Sequence, residues 1–244
     1  QTENQSISEK SNTSWKNMIS KLEGILIVMI AIFIPLEKRL IPSIIIIYAI
    51  LFVLNGKFLL IWRGLKENRY VQITTAYYLF LVMAVSYSDN FDSAIFDLEV
   101  KTALLVFPLL FSALKLNYSE VSKVLSGFVF GCLMAMLICL GIALFYFLDE
   151  RNISVFFYHQ LSIFHHTTYF SMYLDFAILI VYYYMIYDRK RFFITSLFSM
   201  VGIIVCCSLF VVLLSSKMGL IGLFLVIFVG TIMWFLKKRA IFPS

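Results

Sequence analysis

The 244-residue sequence is 61% hydrophobic, has a mean hydropathy of +0.92 and carries a formal net charge of +6 at pH 7. This hydrophobic share exceeds that of an ordinary soluble domain, and the apolar residues form blocks long enough to cross a bilayer core of about 30 Å. The basic residues lie in short loops between these blocks, which indicates membrane orientation and argues against nucleic-acid binding. The composition therefore predicts an all-α, polytopic integral membrane protein.

Residues 1–20 are polar and are predicted to form a disordered cytoplasmic tail. Residues 21–244 are predicted to form a single transmembrane helical domain, which we expect to be incomplete at its C-terminus because the chain ends directly after a basic cluster. Eight spans are predicted in chain order: 22–35, 40–54, 71–87, 102–116, 124–148, 167–187, 192–214, and a last span that follows residues 215–217 and ends at 237–239.

The loops between these spans differ in charge. The loops at 57–69, 115–123, 188–191 and 237–239 are basic and fall on one side of the membrane, together with the lysine-containing tail. The positive-inside rule places that side, and both termini, in the cytoplasm. The acidic loop at 89–99, the histidine-containing loop at 149–165 and the turn at 215–217 then face outward, and the basic pair at 38–39 runs against the rule.

Two features of the predicted spans concern helix packing. Pro108 lies inside the fourth span and predicts a kink, because proline removes a backbone hydrogen bond. Gly127 and Gly131, followed by Ala135 on the same face, predict a close approach of the fifth span to another helix. All four cysteines lie inside apolar runs without metal-ligand spacing, and we interpret them as small core residues: Cys132, Cys139, Cys206 and Cys207.

The stretch from His165 to Asp175 carries an unusual density of polar side chains for a membrane helix. At about 100° per residue, His165, Thr168, Ser171 and Asp175 share one stripe, and His166, Tyr169 and Tyr173 form a neighbouring stripe. An intramembrane aspartate is costly to bury, so Asp175 either belongs to a functional site or hydrogen-bonds a neighbouring helix and fixes packing. The adjacent histidines lack the spacing of a metal pair, and we expect neither a metal nor a cofactor.

Lys217 begins the last span, where the first backbone N–H groups have no helical partner. Ser215 and Ser216 add hydroxyls to this helix end, which is a favourable place for a phosphate or a diphosphate. The alternative is a lysine that extends to anionic lipid headgroups. The sequence has no phosphate-cradling glycine loop, metalloprotease helix or nucleophile elbow, so soluble hydrolase and NTPase functions have no support.

Three runs together resemble a known family. His166-Thr167-Thr168-Tyr169 is similar to a His-Pro-Ser/Thr-Tyr signature that opens a mid-chain helix, with Thr167 in place of proline. Ser215-Ser216-Lys217-Met218-Gly219 is similar to a Ser-Ser-Arg signature at the outer end of a later helix, with Lys217 in place of arginine. The run from Leu98 to Leu110 is similar to a helix with a Phe-Pro-Leu-Leu segment. At these residues the chain resembles the O-antigen ligase family of membrane glycosyltransferases.

The resemblance implies transfer of a glycan from an undecaprenyl-diphosphate carrier to lipid A core or to a growing polysaccharide, at the periplasmic face of a bacterial inner membrane. It implies lipid-linked donor, acceptor and membrane lipids as partners, and no metal. It assigns no catalytic residue here, because the family's histidine lies in a large outer loop further toward the C-terminus that these 244 residues lack. We therefore expect the catalytic base to lie beyond Ser244. The predicted substrate-binding residues are Arg151, His166, Tyr169, Asp175, Ser215, Ser216 and Lys217.

The sequence is also compatible with two other functions. A proton- or ion-coupled transporter would use Asp175 and His165 to bind the coupling ion, although no internal repeat accompanies them. A non-catalytic membrane scaffold would tolerate changes at both polar segments.

Overall fold

The computed structural model describes residues 2–37, 39–56, 58–112 and 116–241. The secondary structure of these ranges is entirely helical, which confirms the all-α class. The α-helices are α1 (Thr2–Phe33), α2 (Leu40–Leu54), α3 (Phe58–Glu67), α4 (Arg69–Val85), α5 (Phe91–Lys101), α6 (Ala103–Ser112), α7 (Tyr118–Glu150), α8 (Tyr158–Leu161), α9 (Thr167–Tyr187), α10 (Leu197–Leu214) and α11 (Lys217–Ile241). Short 3₁₀ turns cover Ile153–Phe156 and Arg189–Arg191.

Four helices in the described ranges are long and apolar enough to cross a membrane: α7, α9, α10 and α11. Helices α2 and α3 meet the same test together, but they are bent by 103° at their break. Each of the eight predicted spans contains a helix, yet α2, α4 and α6 have only 15, 17 and 10 residues. A helix needs about 20 residues to cross the apolar core, so the number of eight spans stays a prediction.

Contacts divide the chain into two compact units. Unit 1 consists of residues 1–23 and 46–117, and unit 2 of residues 24–45 and 118–244. The single domain predicted over 21–244 thus takes in parts of both units. In unit 1, α4 and α3 pack against α6. In unit 2, α9 lies at the centre and packs against α7, α10 and α11.

The core of unit 2 forms around α9 because this helix meets partners on several sides. Its Leu174, Ala177, Ile178 and Val181 are fully buried. Near the C-terminal end of α11, Lys237 Nζ donates a hydrogen bond to the Ile186 carbonyl and fixes α11 to α9. Cys132, Cys139 and Cys207 are buried free thiols, as predicted, whereas Cys206 is exposed. Cys206 precedes Cys207 on α10 and is therefore turned about 100° away from the core face.

The glycine pair on α7 makes the close approach predicted from its spacing. A Cβ on Gly127 would lie 3.1 Å from Val28 Cγ1, and one on Gly131 would overlap the Ile32 carbonyl oxygen. Ala135 on the same face is fully buried. The small-residue stripe therefore packs against the end of α1.

Three segments differ from the sequence predictions. The predicted disordered tail is helical from Thr2 onward, because α1 meets no glycine or proline before Gly24. Helix α3 lies within the predicted basic loop at 57–69, and α5 begins within the predicted acidic loop at 89–99 and continues to Lys101. Helix α5 starts at an Asn90 side chain that accepts from Ser93 N–H at 3.1 Å, and an ion pair of Lys101 with Asp97 at 3.1 Å supports its last turn.

Candidate functional site

The candidate site of unit 2 is built on two parallel helices, α9 and α11. Three glycines of α11 let the two backbones come together: a Cβ on Gly219 would overlap the Ser171 hydroxyl, one on Gly222 would overlap Asp175 Oδ2, and one on Gly230 would lie 2.8 Å from the Tyr182 ring. These three contacts follow the same order along both helices. The two helices therefore run side by side in the same direction.

This parallel packing brings two helix N-termini to one face of unit 2. Ser171 lies four residues inside α9 and Gly219 two residues inside α11. Since a helix rises about 1.5 Å per residue, the two helices begin within about 3 Å of the same level. Each N-terminus has unpaired backbone N–H groups and a partial positive charge, and here the two reinforce one another.

Side chains cap both N-termini. His166 Nδ1 accepts a hydrogen bond from Thr168 N–H at 3.3 Å, and Ser216 Oγ accepts from Gly219 N–H at 3.4 Å. Ser216 is buried, so its hydroxyl serves the helix end and does not face the surface. The histidine cap leaves Nε2 as the imidazole atom that can reach a ligand.

Lys217 and Ser215 are exposed at the N-terminus of α11, and so is the apolar Met218. Ser215 ends α10 in the left-handed conformation, with φ of 49°, and thereby turns the chain into α11. Arg151 has φ of 54° at the end of α7, and Tyr158 has φ of 55°. The described non-glycine residues with positive φ thus all lie at this one face. Such backbone conformations are unfavourable and cluster at functional sites.

Aromatic and imidazole rings surround the start of α9. His166 lies 6.4 Å from His159 and 6.4 Å from Tyr169 between ring centroids, and His165 lies edge-on to Tyr173 at 5.4 Å. His165 thus contacts Tyr173 although it precedes α9, which begins at Thr167. Tyr169 is 60% exposed and offers its ring and hydroxyl at the surface.

Asp175 lies two turns deeper, at the contact of α9 with α11. It is 5% exposed, and neither carboxyl oxygen has a hydrogen-bond partner among the described residues. Ser171 shares its face, as predicted, and donates to the Thr168 carbonyl at 2.9 Å. The alternative role for Asp175, a hydrogen bond to a neighbouring helix, is not what the structure shows. Its carboxyl group fills the space that Gly222 leaves open.

The predicted site residues thus form one group with two outliers. His166, Tyr169, Ser215, Ser216 and Lys217 share the face where α9 and α11 begin. Asp175 lies below that face. Arg151 lies at the same end of unit 2, but no described contact connects it to Lys217. No three His, Cys, Asp or Glu side chains in the described ranges gather as a metal site.

The catalytic base is the one predicted component of the site that falls outside the described residues. The family resemblance implies a base beyond Ser244, whereas the described part of the chain ends at Ile241. Its position therefore stays a prediction. For the residues at the start of α9 and α11, substrate binding stays a prediction, and none of them is predicted to be the base.

Two features of the structure were not predicted from the sequence. The glycines of α11 could have been found from their spacing, because Gly219, Gly222 and Gly230 repeat at three and eight residues and share one helix face. In unit 1, Glu23 is 1% exposed and accepts from Asn55 Nδ2 at 3.2 Å. A carboxylate in an apolar run is itself the signal for such a contact.

Composition and fold define the class as a helical membrane protein with a polar, positively polarised face on unit 2. A comparison of the chain with family models, with curated proteins and with solved structures gives no match.

Proposed function

We propose that the chain is a membrane glycosyltransferase of the O-antigen ligase type, which transfers a glycan from an undecaprenyl-diphosphate carrier to lipid A core or to a growing polysaccharide. One observation carries the proposal: the parallel helices α9 and α11 begin at the same face, and the exposed Lys217 stands at the start of α11. Two positive helix ends and an ammonium group favour a dianionic group at this place. The three sequence runs that resemble the family support the same chemistry.

The face fits a diphosphate leaving group at the edge of a membrane. When a glycan leaves its carrier, negative charge develops on the diphosphate, and fixed positive groups stabilise that charge. Lys217 supplies one charge without the bidentate geometry of arginine. His166 Nε2 and the Tyr169 hydroxyl supply hydrogen bonds for sugar positioning. Asp175 keeps α9 and α11 in register and acts as a positioning residue.

We place this face outside the cytoplasm. At the opposite end of unit 2, basic residues outnumber acidic ones, with Lys123, Arg189, Lys190, Arg191 and Lys237 against Glu120 and Asp188. At the candidate face, Arg151 and Lys217 are balanced by Asp149 and Glu150. The positive-inside rule then orients the candidate face toward the periplasm of a bacterial inner membrane, with both termini and eight spans arranged as predicted.

A pair of serines at the two ends of α10 tests this orientation. Ser215 and Ser196 are both exposed and end the same helix on opposite sides. In intact cells, we expect Ser215→Cys to react with a membrane-impermeant maleimide and Ser196→Cys to react only after permeabilisation. Equal labelling of both variants in intact cells, or labelling of Ser196→Cys alone, would show that the proposed orientation is wrong.

The role of Lys217 is tested by measuring the affinity of the chain for undecaprenyl diphosphate. Replacement of Lys217 by alanine is expected to weaken binding of undecaprenyl diphosphate to the purified chain in nanodiscs about tenfold, because a hydrogen bond to a charged group contributes about 1.5–3 kcal/mol. Lys217→Arg should retain binding. Photo-crosslinking of a lipid diphosphate analogue, with competition by the unlabelled lipid, measures the affinity.

Lys190→Ala serves as the matched control, since Lys190 is an exposed lysine at the opposite end of α9. The same variants are then assayed for glycan transfer in the full protein with a lipid-linked donor. Unchanged binding and transfer in Lys217→Ala would refute the role of Lys217 and, with it, the observation on which the proposed function rests.

A further inference from the structure

A second polar site lies in unit 1. A cavity of about 660 Å³ opens between α3 and the start of α4. Its lining includes the basic Arg63 and Arg69, the acidic Glu67, the apolar Leu60 and Tyr70. This volume falls in the range of ligand-binding clefts, about 300–1,000 Å³.

The charges of the cavity are only partly neutralised. Arg63 Nε lies 3.9 Å from Glu67 Oε1, and both side chains are largely exposed, so this pair is weak. Arg69 makes no ion pair among the residues that the structure describes. The lining thus holds two arginines and one glutamate, and its formal net charge is positive.

Helix α3 has the character of a helix that lies in a membrane surface. It follows the apolar α2 after a bend of 103°, so it does not continue the direction of that helix. Leu59 and Trp62 are 80% and 59% exposed, and Lys66 Nζ lies 5.2 Å from the Trp62 ring centroid. Leu59, Trp62 and Lys66 lie on one exposed face of α3, at the spacing i, i+3 and i+7. An exposed tryptophan beside basic residues is typical of helices at the boundary of headgroups and acyl chains.

The cavity is fixed by packing. A Cβ on Gly64 would overlap the Ser112 hydroxyl, so α3 lies directly against the end of α6. Asn68 caps α4 and accepts from Tyr70 N–H at 3.0 Å, which sets the angle between α3 and α4. Arg63 and Arg69 are thereby held on two separate helices that meet at one cavity.

We propose that this cavity binds the headgroup of an anionic phospholipid. The phosphodiester lies between Arg63 and Arg69, which match its charge and its oxygen geometry, and the upper part of an acyl chain contacts Leu60. Tyr70, which is 80% exposed, lies at the headgroup level. This inference is independent of the proposed glycosyltransferase function, since it concerns residues of unit 1 alone.

Tryptophan fluorescence tests the proposal, because α3 carries Trp62 beside the cavity. In a Trp15→Phe/Trp234→Phe background, Trp62 is the only tryptophan left in the chain. The protein is placed in phosphatidylcholine vesicles that contain a fixed fraction of either dibrominated phosphatidylglycerol or dibrominated phosphatidylcholine. We expect quenching of Trp62 to be about twofold stronger with brominated phosphatidylglycerol.

Arg63→Gln/Arg69→Gln should abolish this preference, so that the two brominated lipids quench equally. Arg189→Gln/Lys190→Gln removes two exposed basic residues from unit 2 and should leave the preference unchanged. The thermal unfolding temperature of each variant is measured alongside, and a preserved temperature shows that the exposed substitutions leave the fold intact.

Competition with inorganic phosphate at constant ionic strength distinguishes a site for a lipid headgroup from a site for a free anion. The lipid proposal expects no loss of preference at 10 mM phosphate, whereas a site for free phosphate would lose it. The proposal is overturned if the two brominated lipids quench the unchanged chain equally, if the preference survives in Arg63→Gln/Arg69→Gln, or if phosphate abolishes it.

Discussion

Replacement of Gly131 by alanine is expected to lower the free energy of unfolding by about 1–3 kcal/mol, the usual cost of overpacking a close contact. A Cβ at this position would overlap the Ile32 carbonyl oxygen and lie 2.9 Å from Pro35 Cγ. The overlapped atoms of Ile32 belong to the backbone, which cannot rotate away as a side chain can. Helices α7 and α1 must therefore separate to admit the methyl group.

Gly141→Ala is the matched control on the same helix, because a Cβ on Gly141 would meet nothing within 4 Å. Thermal unfolding in detergent, followed by circular dichroism, should show a lower midpoint for Gly131→Ala and no decrease for Gly141→Ala. Equal midpoints for the two variants would mean that α1 does not pack on α7 through Gly131.

The spacing of small residues on α7 illustrates what the sequence can predict. Gly127, Gly131 and Ala135 recur every fourth residue, so one face of the helix must be small, and the structure confirms close packing there. The partner, the end of α1, could not be predicted, because a small face fits any neighbour with a complementary surface. Partner choice depends on packing of the whole unit.

Helix boundaries were predictable where apolar blocks are sharply bounded. Helices α2 and α9 have the predicted bounds, 40–54 and 167–187. Helices in charged segments were harder to predict, because a solvated loop and an amphipathic helix can carry the same charged residues. In α3, Arg63 and Lys66 were interpreted as loop residues, but with Leu59 and Trp62 they recur at the spacing i, i+3, i+4 and i+7 and share one exposed helix face.

The residues of the candidate site could be predicted from the sequence, but the arrangement of the helices that carry them could not. His166 and Lys217 were found from residue type and position at helix ends. That α9 and α11 are parallel neighbours depends on α10 returning the chain between them, and the sequence alone leaves the choice of neighbours open. The contact between Asp175 and Gly222 could not be predicted from either residue alone. The Asp175 carboxyl group needs a neighbour without a side chain, and Gly222 supplies it only because α9 and α11 are adjacent.

The contact between Asp175 and Gly222 can be measured as a coupling energy. Gly222→Ala is expected to destabilise unit 2 by about 1–3 kcal/mol, because its methyl group would overlap Asp175 Oδ2. Asp175→Ala removes that carboxyl group, so the double variant has room for the methyl group. We expect the double variant to lose less free energy of unfolding than the two single variants lose in sum. The expected difference is about 0.5–3 kcal/mol, the range found for residues in contact.

The control cycle pairs Asp175→Ala with Gly202→Ala, since a Cβ on Gly202 would meet nothing within 4 Å. That pair should be additive within about 0.5 kcal/mol. Additivity in the Gly222 cycle as well would show that α9 and α11 are not in contact at this level.

The same cycle connects packing to the proposed function. The spacing of α9 and α11 at Gly222 also sets the distance between their N-termini, where His166 and Lys217 lie. Gly222→Ala should therefore weaken binding of undecaprenyl diphosphate, and the added Asp175→Ala should restore it if Asp175 acts through helix spacing alone. Restored stability without restored binding would instead show that the Asp175 carboxyl group takes part in binding the carrier.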